Sequence, residues 1–462
     1  MTPEIEQFRR AAHRALEWIV GYYQDPRRYL VRVPMKPGAL ADALPGEAPE
    51  EGESYEALLE DFERLIVPAA THWNHPRFFA WFPSSSSPPA VLGEMLAATL
   101  NTNGIHWLSS PAVVELEQVT LGWLRQWLGL PREFFGEILD TASVSSLHAM
   151  AAAREAADPE VRERGARPGL TLYCSEHAHS SIEKGALVLG IGRQHIRKIP
   201  VDGEFRMRAD LLERAIEQDR AAGLRPFCIV ATAGTTSTSS VDPLEATARI
   251  AEGHGLWLHV DAAYAGAAAI LPEKRPLFEG WERAHSIVLN AHKWLFTPLD
   301  LSVLYTRRPD VMRRTFSLVP EYLRTAEDPR AVHLMDYGLP LGRRFRALKF
   351  WFVLRRLGRR GITELLRSHI AWAQELAAWI DADRRFERVA PVPFSTVCFR
   401  LRGDNDANRR LLNRVNESGR FLLSHTELDG RYVLRIAIGN YHTRREDVQE
   451  AWELIRRTAD EL

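Results

Sequence analysis

Short apolar runs alternate with helical patterns through the middle of the chain. Each run is four to six residues long and is bounded by turn residues, which is typical of buried strands. Between two of these runs, Leu244–Glu252 has apolar residues at helical spacing. This alternation predicts an α/β fold in which helices cover a mostly parallel sheet. The predicted strands are Leu170–Cys174, Phe227–Thr232, Leu256–Val260, Ser286–Leu289 and Leu301–Tyr305.

The two ends of the chain follow other patterns. Apolar residues from Ile5 to Tyr23 recur at helical intervals among charged residues, which predicts an amphipathic helix. The connector at residues 34–54 is rich in proline, glycine and acidic residues, and we expect it on the surface. The last hundred residues alternate helical stretches with two strands, as in a small α+β domain. We therefore predict an N-terminal helical segment (1–80), a large α/β domain (81–361) and a small C-terminal domain (362–462).

Composition excludes several classes of function. The chain has 462 residues, of which 45% are hydrophobic and 26% charged, enough for a large core. Its net charge of -1 gives no sign of nucleic-acid binding, and no apolar stretch approaches the ~20 residues that span a bilayer. The three cysteines lie far apart with no zinc-type spacing, which favours a reducing compartment and a cytoplasmic protein.

The first candidate chemistry is a carboxylate and an amine at two strand ends. Asp261 follows the run LWLHV, and Lys293 follows SIVLN with two residues between. Ligands of such sheets bind beyond the carboxyl ends of the strands. Pyridoxal phosphate needs a lysine to bond its aldehyde and an aspartate to keep its ring nitrogen protonated. Taken alone, Lys293 could be a surface lysine and Asp261 a helix cap, but the pair favours the cofactor.

A phosphate group and a flat ring also need partners. The segment Asp140–Ser146 leads into a helical run, where backbone N–H groups beside Ser143 could bind an anion or simply be capped. The chain has no P-loop, and the pair Gly190 and Gly192 lacks the third glycine of a dinucleotide site, so nucleotide binding is disfavoured. His177 and His179 could bind a metal, but no third ligand is near, and we favour stacking of His179 on a cofactor.

Aromatic residues give way to four serines and two prolines in the segment FFAWFPSSSSPPA, residues 78–90. A flexible linker and the lining of a ligand site are both consistent with this composition. The two interpretations stay open at this point.

Several motifs together resemble the pyridoxal-phosphate-dependent aromatic L-amino-acid decarboxylases, the group II decarboxylases of fold type I. The similarity runs from the N-terminal helix to the last strand. It is carried by HPRFFAWFP (75–83), TASVSS (141–146), HAHSS (177–181), ATAGTT (231–236), HVDAAYAG (259–266), NAHKW (290–294), PLGRRFRALKFW (340–351) and YVLRIAI (432–438).

This resemblance implies a role for individual residues. Lys293 matches the lysine that bonds the cofactor, Asp261 the partner of the pyridine nitrogen, and His179 the histidine stacked on the ring. Other matches lie on the phosphate side or line the cofactor and substrate site; they are Ala142, Ser143, Asn290, Ser84, Thr236 and His292. The family forms homodimers with active sites at the subunit interface and N-terminal helices that clasp the partner.

The resemblance further implies a reaction. The family removes the α-carboxylate of an aromatic L-amino acid and releases an arylalkylamine and carbon dioxide. Tyr322 matches a loop tyrosine assigned to protonate the substrate carbon, where related aldehyde-forming enzymes have phenylalanine. The chain departs from the family in the pocket segment 101–107, at Asn103, Ile105 and His106, and it has Trp81 where a tyrosine is usual. An unpaired polar group in a pocket is costly, so Asn103 or His106 could select a ring substituent.

Three alternatives remain, because a fold does not fix a function. The first is decarboxylation of an acidic or other non-aromatic amino acid, or an aminotransferase or lyase reaction on the same scaffold. The second is a decarboxylating aldehyde synthase. The third is a catalytically silent homologue that binds or scaffolds, against which the retention of Lys293, Asp261, His179 and Tyr322 argues.

Overall fold

The computed structural model describes residues 2–318 and 331–462. Within these ranges the chain forms one seven-stranded and one four-stranded sheet. Strands β1 to β11 are Phe135–Leu139, Leu170–Ser175, Ile196–Ile199, Arg225–Thr232, Trp257–Asp261, Ser286–Asn290, Ser302–Thr306, Phe386–Arg388, Thr396–Leu401, Ser424–Leu428 and Arg431–Ala437. Helices α1 to α16 are Pro3–Gln24, Ala39–Ala43, Tyr55–Asp61, Val67–Ala69, Pro88–Leu100, Pro111–Leu128, Ala142–Ala157, Val161–Arg164, Ser180–Val188, Ala209–Ala221, Leu244–His254, Ala291–Trp294, Pro309–Phe316, Arg346–Ala382, Asn405–Glu417 and Arg445–Asp460. Among these described helices, none is long and apolar enough to cross a membrane.

The large sheet has the strand order β1-β7-β6-β5-β4-β2-β3. The central pairs β2/β4, β4/β5 and β5/β6 are parallel, and β7 runs antiparallel to both of its neighbours. The predicted α/β class with a mostly parallel sheet is therefore confirmed. All five predicted strands form, each shifted by at most two residues at its ends.

Both faces of the large sheet are buried, and the alternation along β5 shows why. Leu258 and Val260 pack in the core that includes α6, α10, α11 and α14. Trp257 points to the opposite face and packs in the core that includes α7 and α9. A strand buried on two sides reads as a continuous apolar run, which is the pattern that predicted it. His259 and Asp261 follow Trp257 at a spacing of two residues and share its face of the sheet.

The small sheet is antiparallel, with the order β10-β11-β9-β8. Its own core lies between this sheet and helices α14, α15 and α16. The 37-residue helix α14 runs past the predicted domain boundary at 361/362 and contains a non-helical residue, Gly358, with φ of 62°. A glycine tolerates this left-handed backbone without a steric penalty. One long, kinked helix thus belongs to both parts of the chain.

The chain that follows the N-terminal helices hydrogen-bonds to the end of a strand of the small sheet. Helix α1 forms as predicted, and residues 34–54 are exposed apart from the half-buried Leu40. Farther along, the Phe79 N–H donates to the Leu422 carbonyl, and the Ala437 N–H donates to the Phe79 carbonyl. These bonds place Phe82 where the small sheet meets the carboxyl edge of the large one.

Candidate active site

Three neighbouring strands of the large sheet end at the same edge. Strand β4 ends at Thr232, β5 ends at Asp261, and Thr232 pairs with Asp261 in the register of these parallel strands. Strand β6 ends at Asn290 and continues into the short helix α12, which carries Lys293. The structure therefore brings Asp261 and Lys293 to the same edge, as the sequence predicted.

Lys293 has an environment suited to a reactive amine. Its Nζ lies 5.3 Å from the centroid of the Phe82 ring, within cation–π distance. Burial lowers the pKa of Lys293, and the negative charge of Asp261 partly opposes this shift. Within the described residues its ammonium forms no salt bridge. A lysine with a lowered pKa and no ion-pair partner has a larger fraction of neutral amine, the form that attacks a carbonyl.

Unpartnered polar atoms surround Asp261. Asp261 is 5% exposed, and its Oδ1 accepts a hydrogen bond of 3.1 Å from the Ala263 N–H. The buried Oδ1 of Asn290 and Oγ1 of Thr232 have no hydrogen-bond partner within the described residues. Buried polar atoms are usually paired, so these atoms indicate that a polar ligand completes the site.

A stack of aromatic rings forms one wall of the site. The rings of Phe82 and Tyr264 lie 3.9 Å apart at 13°, and those of Tyr264 and Trp294 lie 4.7 Å apart at 9°. The Trp294 Nε1–H donates to His369 Nδ1 at 2.9 Å. Because Trp294 directly follows Lys293, this buried stack holds the lysine turn rigidly.

The first turn of α7 provides an anion site beside these strand ends. Ala142 and Ser143 are its first two residues, and Thr141 at the N-cap makes no side-chain capping bond. Thr141 O accepts from the N–H groups of Val144 and Ser145, whereas those of Ala142 and Ser143 have no partner among the described residues. Free N–H groups at a helix start favour a phosphate by hydrogen bonding and by the helix dipole.

The three histidines that the sequence singled out lie in different environments. His179 precedes α9, and its Nδ1 accepts from the Ser181 N–H at 3.2 Å, which fixes the ring at the cleft. Burial lowers the pKa of His179; the negative charge of Asp261 opposes this shift, and the positive charge of Lys293 reinforces it. His292 is buried, and burial together with the charge of Lys293 lowers its pKa to about 3. His177 packs on Phe205 instead, and no group of three or more His, Cys, Asp or Glu residues in ranges 2–318 and 331–462 could hold a metal ion.

The serine run packs against the rest of the chain and is not an exposed linker. Ser85, Ser86 and Ser87 are buried. Ser84 Oγ donates to the His292 carbonyl at 2.6 Å, and Ser87 Oγ donates to the Phe296 carbonyl at 2.9 Å. The linker interpretation is wrong, because these hydroxyls tie the N-terminal segment to the turn that carries Lys293.

Thr236 lies in the turn after β4, where its side chain is exposed and makes no described hydrogen bond. Gly234 begins this turn with φ of 95°, and a Cβ there would lie 2.5 Å from Ala265 Cβ. Glycine is therefore required for the turn to approach the segment after Asp261. This close approach brings the Thr236 turn beside the strand end that carries Asp261.

Sequence reasoning missed Arg435. This guanidinium is 2% exposed and lies 5.2 Å from the centroid of Phe82, the ring that Lys293 also faces. It donates to the carbonyls of Ser237 and Trp81 and to Ser424 Oγ, and its Nη2 has no partner within the described residues. The motif YVLRIAI contains Arg435, but only the folded chain places it against Phe82.

The pocket segment 101–107 has no described contact with Lys293 or Asp261 in this chain. Asn103 Oδ1 accepts from the Arg343 N–H at 2.9 Å, Ile105 O accepts from the Met335 N–H, and His106 Nδ1 accepts from the Ser109 N–H. The roles of these residues in selectivity stay predictions. Trp81 lies at the mouth of the cleft, 53% exposed, with φ of 47° and its ring stacked 5.4 Å from that of Trp73. Tyr322 lies outside the described residues.

These features fit pyridoxal phosphate at three points. Lys293 can bond the aldehyde, Asp261 can hold the proton of the ring nitrogen, and the N–H groups of Ala142 and Ser143 can bind the phosphate. The unpartnered oxygen of Asn290 adds a further acceptor at the same edge. The fold and site thus define a pyridoxal-phosphate-dependent enzyme of fold type I.

Comparisons with known proteins identify the family. The profile of the pyridoxal-dependent decarboxylase conserved domain matches residues 37–402. Tyrosine decarboxylase 4 of Petroselinum crispum is 41% identical over 484 residues, covering 100% of this chain and 95% of that protein. Phenylacetaldehyde synthase of Arabidopsis thaliana is 40% identical over 476 residues, covering 99% and 96%. The crystal structure of Oryza sativa TDC with PLP and tryptamine superposes with a TM-score of 0.95 at 36% identity, covering 100% and 99%.

The chain belongs to the pyridoxal-dependent decarboxylase family. It is a carboxy-lyase whose cofactor is pyridoxal phosphate.

Proposed function

We propose that this protein removes the α-carboxylate of an aromatic L-amino acid and releases the arylalkylamine and carbon dioxide. The observation that carries the proposal is similarity along the whole chain to a tyrosine decarboxylase and to a protein solved with tryptamine. The site geometry agrees with it, because the chain retains a reactive lysine, a ring-nitrogen partner and a phosphate cradle.

When bound, pyridoxal phosphate supplies an aldehyde that bonds amines and a ring that accepts electrons. In the proposed mechanism the amine of Lys293 would hold the cofactor through its aldehyde. Asp261 keeps the proton on the ring nitrogen, and its Oδ1 is fixed by the Ala263 N–H. Ala142, Ser143 and Asn290 would bind the phosphate end, and His179 would cover the ring face. Thr236 and His292 line the site, with His292 neutral because of its low pKa.

The decarboxylation step needs a dry site and one proton. The buried stack of Phe82, Tyr264 and Trp294 excludes water from one side of the lysine turn. We propose that Tyr322 donates the proton to the former α-carbon, a role that rests on resemblance alone. The pocket residues proposed to shape selectivity are Trp81, Ser84, Asn103, Ile105 and His106. The last three belong to segment 101–107, which is proposed to act from across a subunit interface.

A panel of amino acids tests the substrate class. The purified protein is incubated with pyridoxal phosphate and, separately, with Phe, Tyr, dihydroxyphenylalanine, Trp, 5-hydroxytryptophan, His and Glu, and both carbon dioxide and amine are measured. We expect turnover of one or more aromatic substrates and none of Glu. Turnover restricted to Glu or His would contradict the proposal.

Arg435 gives a specific reason to keep Glu in the panel. Its buried guanidinium has an unpartnered Nη2 and, within the described residues, no carboxylate partner. A carboxylate is the group that a buried arginine binds best, and it could be the α-carboxylate of any amino acid or the distal carboxylate of Glu. The panel distinguishes these two roles of Arg435, since only binding of the distal carboxylate predicts turnover of Glu.

Aldehyde formation is a second candidate function, because one relative is a phenylacetaldehyde synthase. Amine, aldehyde and hydrogen peroxide are measured in the same reaction mixture, for the natural protein and for Tyr322→Phe. We expect amine alone from the natural protein and aldehyde with peroxide from the variant. If Tyr322→Phe still gives amine with no aldehyde or peroxide, the proposed role of Tyr322 is wrong.

We further propose a cytoplasmic homodimer in which the segment 1–80 clasps the partner subunit. Two exposed apolar surfaces support the homodimer, one on α1 and one on α5. Their residues are 42% to 62% exposed, and they are Ile5, Phe8, Leu16, Val20, Leu92, Met95, Leu96 and Leu100. Apolar surface of this extent on a folded chain typically marks an interface. Sedimentation of the natural protein and of Phe8→Asp tests it; an active monomeric natural protein would contradict the proposal.

A further inference from the structure

A buried histidine lies directly beneath the cofactor site. His259 is fully buried in β5, two residues before Asp261 and on the same face of the strand. Its Nδ1 lies 2.9 Å from Ser286 Oγ, and its Nε2 lies 3.0 Å from Ser146 Oγ. Both hydroxyls are also fully buried. Neither nitrogen is therefore free for a role in proton transfer to a substrate.

Ser286 Oγ has a second hydrogen-bond partner besides His259. The Trp257 Nε1–H donates to Ser286 Oγ at 2.9 Å, and an indole N–H can only donate. Each serine hydroxyl can donate or accept, so both bonds of His259 can form with either neutral tautomer of the ring. Burial lowers the pKa of His259 to about 4, against the opposing effect of Asp261, so the ring is neutral near neutral pH. A neutral ring adds no positive charge that would compete with the cofactor for Asp261.

The three residues in this chain of bonds belong to three different elements. Ser146 lies in α7, one turn after the free N–H groups of Ala142 and Ser143. His259 lies in β5, which ends at Asp261. Ser286 begins β6, which leads to the turn of Lys293. These elements carry the groups for the phosphate, the ring nitrogen and the aldehyde, respectively.

We propose that His259 is a positioning residue that fixes the phosphate-binding start of α7 relative to the strands that carry Asp261 and Lys293. The inference rests on the pyridoxal-phosphate site described above and adds to it a residue that touches neither cofactor nor substrate. In this proposal the Ser146–His259–Ser286 bridge sets the distance between the phosphate site and the ring site.

The test compares two ligands that differ only in the phosphate. Apo-protein is titrated with pyridoxal phosphate and with pyridoxal, and the dissociation constants are read from the quenching of tryptophan fluorescence. The dissociation constant of pyridoxal divided by that of pyridoxal phosphate is a ratio that measures what the phosphate adds to binding. If the bridge positions α7, breaking it lowers this ratio, whereas a general loss of stability weakens both ligands alike.

Two variants break the bridge at Ser146, and one retains it. Ser146→Ala removes the hydroxyl, and His259→Asn has an amide too short to reach it. We expect each to lower the ratio by about tenfold, the usual effect of one lost hydrogen bond, and the double variant to lower it no further. His259→Gln has an amide that reaches the Nε2 position and can donate to or accept from Ser146 Oγ, so it should restore most of the ratio.

Tyr173→Phe is the matched control, since it removes a buried hydrogen bond to Asp219 from strand β2, away from the site. It should leave the ratio unchanged. Circular dichroism confirms folding of each variant, and Ser146→Ala, the smallest change, remains decisive if a His259 variant fails to fold. Equal weakening of both ligands by Ser146→Ala, or no weakening, would overturn the proposal. Failure of the natural protein to bind pyridoxal phosphate at all would instead overturn the assigned cofactor.

Discussion

Two lysines in this protein, the buried Lys349 and the half-buried Lys293, have different surroundings. Lys349, on α14, is 1% exposed and forms a salt bridge of 2.7 Å with Glu94 on α5. Lys293, at the carboxyl edge of the large sheet, has no such partner within the described residues and faces the ring of Phe82. Burial lowers the pKa of both, but a direct hydrogen bond opposes the shift only at Lys349.

The difference separates a lysine whose charge is paired within the fold from a lysine whose amine is left unpaired for chemistry. A buried ammonium is normally paired, because an unpaired one is costly. At Lys349 the pairing joins two helices that pack so closely that a Cβ on Gly93 would lie 2.6 Å from Lys349 Cα. At Lys293 the unpaired amine is the group that we propose bonds the cofactor. Unpaired polar groups therefore mark the site better than charge alone.

Replacing each lysine by methionine gives the largest expected contrast. Lys293→Met should lower the decarboxylation rate by more than about a thousandfold and abolish the visible absorption of the bound cofactor. Lys349→Met should keep the decarboxylation rate and the visible absorption, and it should change the free energy of unfolding by about 1 to 3 kcal/mol. Absorbance spectra, rates and urea unfolding of both variants measure this. Normal absorption in Lys293→Met would remove the basis of the contrast.

Asp261→Asn is expected to have the next largest effect. The amide cannot hold the ring-nitrogen proton by charge, so the rate should fall by about a hundredfold to a thousandfold while the cofactor stays bound. Asp219→Asn is the control, since Asp219 is also a buried carboxylate but bonds to Tyr173 and Arg197. It should lower the melting temperature and leave the rate within a few-fold. Equal rates for the two variants would contradict the role of Asp261.

The pH dependence of cofactor attachment sharpens the comparison. Only neutral amine attacks, so the rate at which apo-protein bonds pyridoxal phosphate rises as pH increases through the pKa of Lys293. Burial lowers that pKa, and the midpoint should lie below the ordinary lysine value. Asp261 raises the same pKa, so Asp261→Asn should move the midpoint to still lower pH. Stopped-flow absorbance measures both curves, and a shift to higher pH would contradict the assignment.

The smallest expected effect concerns the hydroxyl beside the lysine turn. Ser84→Ala removes the hydrogen bond to the His292 carbonyl, and we expect kcat/KM to fall about fivefold, for a loss of about 1 kcal/mol. Ser87→Ala removes a similar bond to the Phe296 carbonyl, three residues beyond Lys293. It should lower the melting temperature but not kcat/KM. Equal losses of kcat/KM in the two variants would show that Ser84 has no special part in the site.

The five strands that the sequence predicted in the large domain are buried on both faces. Strand β1 was missed because it contains Gly136 and the buried Glu137, which interrupt the apolar run. The carboxylate of Glu137 lies 3.8 Å from the Arg343 guanidinium, a contact between residues about two hundred positions apart. Strands β3 and β10 were missed because they are edge strands with polar residues in the middle. A pattern of single positions cannot indicate such long-range pairing.

Some residues of the candidate site could likewise be predicted from the sequence, and others could not. Asp261 and Lys293 could be predicted because each follows an apolar run at a strand end, where parallel strands bring side chains together. Phe82 and Arg435 could not, because their contact joins segments far apart in sequence. Ser84 was ambiguous, since a run of serines before two prolines is also typical of a linker. Only the hydrogen bonds of the folded chain resolve it.

The location of the covalent bond to the cofactor tests the central claim most directly. The holoenzyme is treated with borohydride, which reduces the imine to a stable secondary amine, then digested, and the labelled peptide is identified by mass spectrometry. We predict one pyridoxyl group per chain, on the peptide that contains Lys293, and no label on Lys349. Label at another lysine, or bleaching of the visible absorption without any label on Lys293, would contradict the account.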